Sequence, residues 1–198
     1  MKSDIMIFKW KIVILGDPSV GKTSLVRHFC DGYFRENYLS TIGVSFLRKE
    51  LSIQDYKVTL QLWDIGGQSI FGGKLRENYL RGAHGALILF DLTEKSTLMH
   101  LPEWYENLIS TTSEIPIILI GNKCDLPYKE KIVSRAERLA KKYGAPLYIT
   151  SAKTGKNMIE VFYTLTKKVM KKAEVEIADF DVQKEMKNDP VMKLKEEK

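Results

Sequence analysis

Phe8-Lys9-Trp10-Lys11-Ile12-Val13-Ile14-Leu15 runs without interruption into Gly16-Asp17-Pro18-Ser19-Val20-Gly21-Lys22-Thr23-Ser24, and then into Leu25-Val26-Arg27-His28-Phe29-Cys30. The first stretch reads as a strand, and the chain from about Gly21 to Cys30 as a helix. Between them the sequence matches G-x-x-x-x-G-K-[ST], and each fixed type has a physical reason. The glycines let backbone N–H groups curl around phosphate oxygens, and the helix that follows adds a favourable dipole. Lys22 can set a positive charge on the outer phosphates, and the Thr23 hydroxyl can ligate Mg²⁺. The competing explanation is an accidental glycine-rich turn. The motif's place between strand and helix, where phosphate binding requires it, argues against accident. Alone it implies a nucleoside triphosphate and says nothing of the base.

Outward from this unit, apolar runs alternate with helical patterns. Val44–Ile53 and Lys57–Trp63 alternate about a short polar turn, Gln54-Asp55-Tyr56, which predicts a hairpin. Ala86–Phe90, Ile117–Ile120 and Leu147–Ile149 read as buried strands separated by helices. That order implies an α/β fold with a parallel sheet covered on both faces. Ser134 with Glu137 forms a capping-box pattern, and Gly144 stands where that helix should end. Asn157 with Glu160 repeats the start signal ahead of Met158, Phe162, Leu165 and Val169 on one face. Pro102 suits the first turn of a helix bearing Trp104, Tyr105 and Leu108.

The 198 residues fit one domain, taken as 1–172, followed by a charged tail over 173–198 that either prolongs the last helix or is disordered. The net charge of +6 is uneven, because the tail holds eight acids against five lysines. A basic excess can signal nucleic acid or an anionic membrane. No interleaving of aromatic and basic residues points to a strand-binding platform, so no nucleic acid is expected. Two cysteines, Cys30 and Cys124, are too few for a disulfide framework, which favours a reducing, cytoplasmic setting. No apolar run reaches the roughly 18 residues of a membrane span. Lys167-Lys168-Val169-Met170-Lys171-Lys172 reads as a solvated helix face, at most a weak peripheral membrane contact. His28, His84 and His100 share no metal-ligand spacing and read as structural or surface residues. Trp63 and Trp104 read as core.

The base is read further along. Asn122-Lys123-Cys124-Asp125 follows the strand Ile117–Ile120, at the carboxyl end where such sheets place ligands. The Asp125 carboxylate can accept two hydrogen bonds from guanine's ring N–H and exocyclic amine, a pair adenine does not offer. Alone, N-K-x-D is more often a loop or helix cap; its place about a hundred residues after the phosphate loop reverses that weighting. Asp64-Ile65-Gly66-Gly67-Gln68 follows the strand ending at Trp63. Asp64 can hold Mg²⁺ through water, the Gly67 N–H can approach a terminal phosphate, and Gln68 can orient the attacking water. Thr41, in Ser40-Thr41-Ile42-Gly43, is a candidate second hydroxyl ligand to Mg²⁺.

Together the phosphate loop, Thr41, Asp64–Gln68, Asn122–Asp125 and Ser151-Ala152-Lys153 resemble the five signature boxes of Ras-superfamily small GTPases, in order and approximate spacing over residues 9 to about 172. Tyr38–Val44 and Trp63–Gln68 are most similar to the Rab branch. The resemblance implies a P-loop NTPase three-layer sandwich: a mostly parallel six-stranded sheet with one antiparallel edge strand. It implies slow GTP hydrolysis with Gln68, Lys22 and Thr41 as catalytic residues. The nucleotide would be held by Asp17–Ser24, Phe34, Thr41, Gly67, Asn122, Lys123, Asp125 and Ser151–Lys153, and Mg²⁺ by Thr23, Thr41 and Asp64. Phe34 would pack on guanine, Ser151 and Ala152 would present N–H groups to its oxygen, and Lys123 and Lys153 would lie along base and sugar. The loops around Thr41 and Gln68 would be switches read by effectors, exchange factors and GTPase-activating proteins, with the chain a monomer.

Three departures bear on this picture. Pro18 stands where many relatives carry glycine; it removes an N–H and adds bulk close to the terminal phosphate and Gln68. Ser69 replaces an acidic residue, and Gly72-Gly73 loosens the second switch. The chain ends Leu194-Lys195-Glu196-Glu197-Lys198 without a prenylation cysteine. Either the recorded chain is shortened, or it belongs with prokaryotic or archaeal relatives that work without isoprenyl anchors. Two other functions compete: a GTP-dependent binding module in which Pro18 blocks hydrolysis, and an adenine-specific P-loop kinase, which Asp125 argues against. No arginine stands out as catalytic, so a partner is expected to supply one.

Overall fold

A computed structural model describes residues 6–34, 43–66, 74–177 and 181–187. Six strands form one sheet: β1 (Met6–Leu15), β2 (Val44–Ile53), β3 (Tyr56–Ile65), β4 (Gly85–Asp91), β5 (Ile117–Asn122) and β6 (Leu147–Ile149), in the order β2-β3-β1-β4-β5-β6. β2 lies antiparallel to β3 at one edge, and the other pairings are parallel. The seven helices among the described residues are α1 (Lys22–Asp31), α2 (Lys74–Leu80), α3 (Lys95–Met99), α4 (Leu101–Ile109), α5 (Glu130–Tyr143), α6 (Met158–Lys172) and α7 (Val182–Lys187). The expected α/β sandwich with its antiparallel edge strand is the one found.

Both faces of the centre of the sheet are dry, and the strands show why. Ile12 and Ile14 of β1, with Leu87 and Leu89 of β4, face the core beneath α1 and α6. Val13 and Leu15, with Ala86, Ile88 and Phe90, face the core beneath α2, α3, α4 and α5. Alternate side chains point to opposite faces, so a strand buried on both must be apolar throughout, as the runs are. Phe29 of α1 stacks on Phe162 of α6 at 3.8 Å, and Tyr105 of α4 on Tyr143 of α5 at the same separation. The strand order reverses at β1, so the crevice for a ligand opens at its carboxyl end, where Gly16 begins the glycine-rich loop.

Two helix starts differ from expectation. α5 begins at Glu130, one turn before Ser134, whose hydroxyl instead reaches back to the Glu130 carbonyl. Lys129 is the cap and has no side-chain acceptor; the acid Glu130 in the first turn complements the helix dipole in its place. α6 does start after Asn157, but that residue is left-handed and its amide donates to the Ile149 carbonyl rather than capping the helix. Gly144 ends α5 in the left-handed conformation, and Pro102 lies in the first turn of α4, both as expected. The last helix is not prolonged: α6 stops at Lys172, the chain turns at Glu174, and Val175 N–H bonds back to the Met170 carbonyl. Val175, Ile177, Val182 and Met186 then pack on the core, which places α7 against α6. No helix among the described residues is long and apolar enough to cross a membrane.

Candidate functional site

The loop after β1 is shaped by what cannot fit there. Gly16 has φ +134°, and a Cβ on it would lie 2.2 Å from the Leu89 carbonyl oxygen. Gly21 has φ +98°, and its Cβ would lie 2.2 Å from Asn122 Nδ2. Ser19 and Lys123 are left-handed without being glycine, which costs about 1–2 kcal/mol each. Such strain persists where surrounding contacts over-determine the backbone, and both residues belong to one cavity. α1 follows with no acid of its own in the first turn and no side-chain cap, so its first N–H groups are left without a capping side chain.

Lys22 is buried, 6 % exposed, and donates to the carbonyls of Gly16 and Asp17 at 2.7 Å each. It therefore delivers its charge inside the loop. The Thr23 hydroxyl donates to the buried carboxylate of Asp64 at the end of β3. A hydroxyl beside a carboxylate is an all-oxygen donor set, which suits a hard cation such as Mg²⁺. Among the described residues no group of three His, Cys, Asp or Glu side chains could hold a metal unaided.

A cavity of about 300 Å³ lies beside this loop, lined by Ser19, Gly21, Ser24, Phe34, Asn122, Lys123, Asp125, Leu126, Ala152 and Lys153. Three distant segments meet there, and Asn122 joins them. Its side chain, 1 % exposed, donates from Nδ2 to the Val20 carbonyl at 2.8 Å. Its Oδ1 accepts from the Thr150 hydroxyl at 3.1 Å and the Ala152 N–H at 3.0 Å. His28 adds a second tie, donating from Nδ1 to the Ala152 carbonyl at 2.6 Å, which also fixes its tautomer. The Ser151 hydroxyl donates to Asp125 Oδ1 at 2.5 Å and accepts from the Thr154 N–H, so the carboxylate has a set direction at the cavity mouth. Lys123 lines the wall and pairs with Asp91 at 2.5 Å.

The sequence expectations divide accordingly. The backbone N–H groups of Ser151 and Ala152 bond within the chain, to the Lys156 carbonyl and to Asn122, rather than standing presented to a base. The Val20 side chain belongs to the core, and the exposed Pro18 lies outside the cavity lining. Asp17 turns away from the cavity: its Oδ1 accepts from Trp104 Nε1 at 2.7 Å and its Oδ2 from His100 Nδ1 at 2.6 Å. Trp104 is core, as expected, but it also anchors the phosphate loop to α4. Thr41, Gly67, Gln68, Ser69 and Gly72-Gly73 lie outside the described residues. Burial pushes the Cys124 thiol up from its ordinary pKa.

The hydrogen bond from His100 to Asp17 raises the histidine above its ordinary value of 6.5. A raised folded-state pKa means the pair's contribution is complete below that ordinary value and is lost as pH rises through the raised one. His100→Asn should therefore lower the melting temperature relative to wild type by a larger margin at about pH 6 than at about pH 9. Thermal unfolding at both pH values checks this, and an equal margin contradicts it.

With the geometry in place, comparison with known proteins is decisive. The Ras family model matches residues 11–171. The chain is 40 % identical to the human Ras-related protein Rab-19 over 166 residues, covering 82 % of this chain and 76 % of that one. It is 34 % identical to the Ras-related protein SEC4 of Saccharomyces cerevisiae over 165 residues, covering 83 % and 76 %. It is 37 % identical to bovine Ras-related protein Rab-21 over 172 residues, covering 85 % and 77 %. The phosphate loop, the Asn122–Asp125 corner and the sheet order stand within that matched span, and the chain belongs to the Ras family as a Rab-like small GTPase, a GTP-binding molecular switch.

Proposed function

We propose that GTP occupies the cavity with guanine against Asp125 and its phosphates along residues 16–24, and is hydrolysed there slowly to GDP and phosphate. The observation that carries this reading is the reach of Asn122 to the Val20 carbonyl, which locks the base corner to the phosphate loop as one rigid site. Phe34, Lys123, Ala152 and Lys153 close around base and sugar. Lys22 and the N-terminus of α1 neutralise phosphate charge, while Thr41 and Gly67 hold the terminal phosphate. Gln68 orients a water whose oxygen attacks the γ-phosphorus as the bond to the bridging oxygen breaks; the water's proton leaves with the phosphate. Thr23, Thr41 and, through water, Asp64 would hold Mg²⁺. When bound, that ion neutralises charge on the phosphate oxygens.

Family members of this kind interact with effectors, exchange factors and GTPase-activating proteins. Here we place those contacts at the segments 35–42 and 67–73, which hold Thr41 and Gln68. An aromatic row supports that choice: Phe46, 53 % exposed, packs edge-on against Trp63 at 5.5 Å, and Trp63 lies 6.3 Å from Tyr79. The row joins β2, β3 and α2, the elements that flank both segments, and an exposed aromatic backed by two partly buried ones suits partner burial. The domain proper is taken as residues 1–172, a monomer in the cytoplasm that meets membranes through partners. Residues 173–198 are an appendage, of which α7 packs on α6.

Single-turnover phosphate release tests the reading. Wild type is expected on the order of 10⁻⁴ to 10⁻² s⁻¹, the range spanned by Ras and Gα proteins, and Gln68→Leu at least about tenfold slower. Equal silence in both proteins would favour a hydrolysis-deficient binding module with Pro18 as the cause. Rapid unassisted turnover would end the switch interpretation.

A further inference from the structure

A second concavity, about 650 Å³, lies between the start of α3 and the start of α5. Its walls are basic. Lys95 comes from one side, and Lys129, Lys131, Arg135 and Arg138 from the other, against one acid, Glu94. That acid is committed elsewhere: its carboxylate accepts from the Ser96 N–H and hydroxyl, capping α3, which also holds its pKa below the usual carboxylate value. None of the five cations has an ion-pair partner among the described residues. The arrangement is built into the helix, since Lys131, Arg135 and Arg138 fall on one stripe of α5 at spacings of four and three. Glu130 and Glu137 lie about 80° or more around the axis from each of them. Like charges gathered at this density repel, and no acid among the described residues pairs with them to relieve it.

Apolar packing closes the trough from beneath. Leu92 and Leu98 are fully buried and Ile132 nearly so, while Tyr128 stands at the rim, 40 % exposed. A trough with cationic walls over closed apolar packing fits an inserted chain rich in carboxylates. A bilayer surface is too flat to enter the trough, and stacked bases would need several aromatic platforms. Both arginines can grip a carboxylate through two parallel N–H bonds, which adds direction to the charge attraction.

We propose that this groove docks an acidic segment of a partner protein, independently of the nucleotide site. The probe is a fluorescein-labelled octaglutamate peptide, read by anisotropy on the full-length protein at about 0.15 M salt, where exposed charges more than about 8 Å apart are screened. The triple variant Lys131→Glu, Arg135→Glu, Arg138→Glu should bind at least about tenfold more weakly, and the corresponding glutamine variant should lie between it and wild type. A control reversing Lys168, Lys171 and Lys172 on α6 should lose less than about twofold. GTP binding should be the same in all four proteins, which shows that each is folded. Equal losses in the two reversals, or no binding by wild type, would overturn the proposal. Binding of phosphatidylserine vesicles or of an oligothymidylate in preference to the peptide would overturn it as well.

Discussion

Asp125→Ala abolishes the preference for GTP over ATP. The carboxylate can accept two hydrogen bonds from guanine, each worth about 1.5–3 kcal/mol because the acceptor is charged. Losing both weakens GTP by roughly 10² to 10⁴-fold, whereas ATP, which never had them, is little affected. The measurement is displacement of a fluorescent guanine nucleotide by each competitor. A fall in GTP affinity alone would be ambiguous, since Asp125 also accepts from Ser151 and so helps to order the loop after β6. Ser151→Ala separates the two effects: it removes that bond and leaves the carboxylate. It should cost both nucleotides by similar, modest factors and preserve their ratio. If Asp125→Ala keeps the wild-type ratio, base reading lies elsewhere.

The elements on which this site rests were legible because each carries a local signature. A strand stretch buried on both faces must be apolar at every position, and Ile12–Leu15 of β1, Ala86–Phe90 of β4 and Ile117–Ile120 of β5 are. A phosphate loop needs glycine where a Cβ would strike Leu89 or Asn122, so its pattern survives in the letters. The ties that rigidify the site leave no such trace. Asn122 to Val20 spans 102 residues, His28 to Ala152 spans 124, and Trp104 to Asp17 spans 87. No periodicity or spacing connects such partners, so His28 and His100 read as incidental and Trp104 as core alone. The Ser134 cap failed for a related reason. Capping patterns are common in surface helices, and the competing start at Glu130 draws on a backbone turn and a first-turn acid rather than on a capping side chain. The return of the chain after Lys172 was hidden because Val175, Ile177, Val182 and Met186 are spread thinly among charges.

Asn122→Ala tests the tie that makes one site of three segments. The side chain is buried and satisfies a carbonyl, a hydroxyl and an N–H at once. Alanine leaves those groups without it in a dry interior, at about 1–3 kcal/mol for each that finds no substitute. Because the neighbours and any entering water recover part of this, the loss should be roughly 2–5 kcal/mol, high for a single substitution. For a domain of this size that is a fall in melting temperature of roughly 5–15 °C, measured at fixed excess nucleotide so that ligand stabilisation is the same in both proteins. Affinity for GTP and GDP should drop by equal factors while the GTP-to-ATP ratio holds, since Asp125 is untouched. The geometry also demands a coupling. Gly21→Ala drives its new methyl to within 2.2 Å of Asn122 Nδ2. In the Asn122→Ala background that collision is gone, and only the cost of a left-handed alanine at φ +98° remains. The double variant should therefore be less destabilised than the sum of the single ones, by more than about 0.5 kcal/mol. Strict additivity, or a melting temperature within a degree or two of wild type for Asn122→Ala, would mean that the base corner and the phosphate loop are held together by something other than this amide.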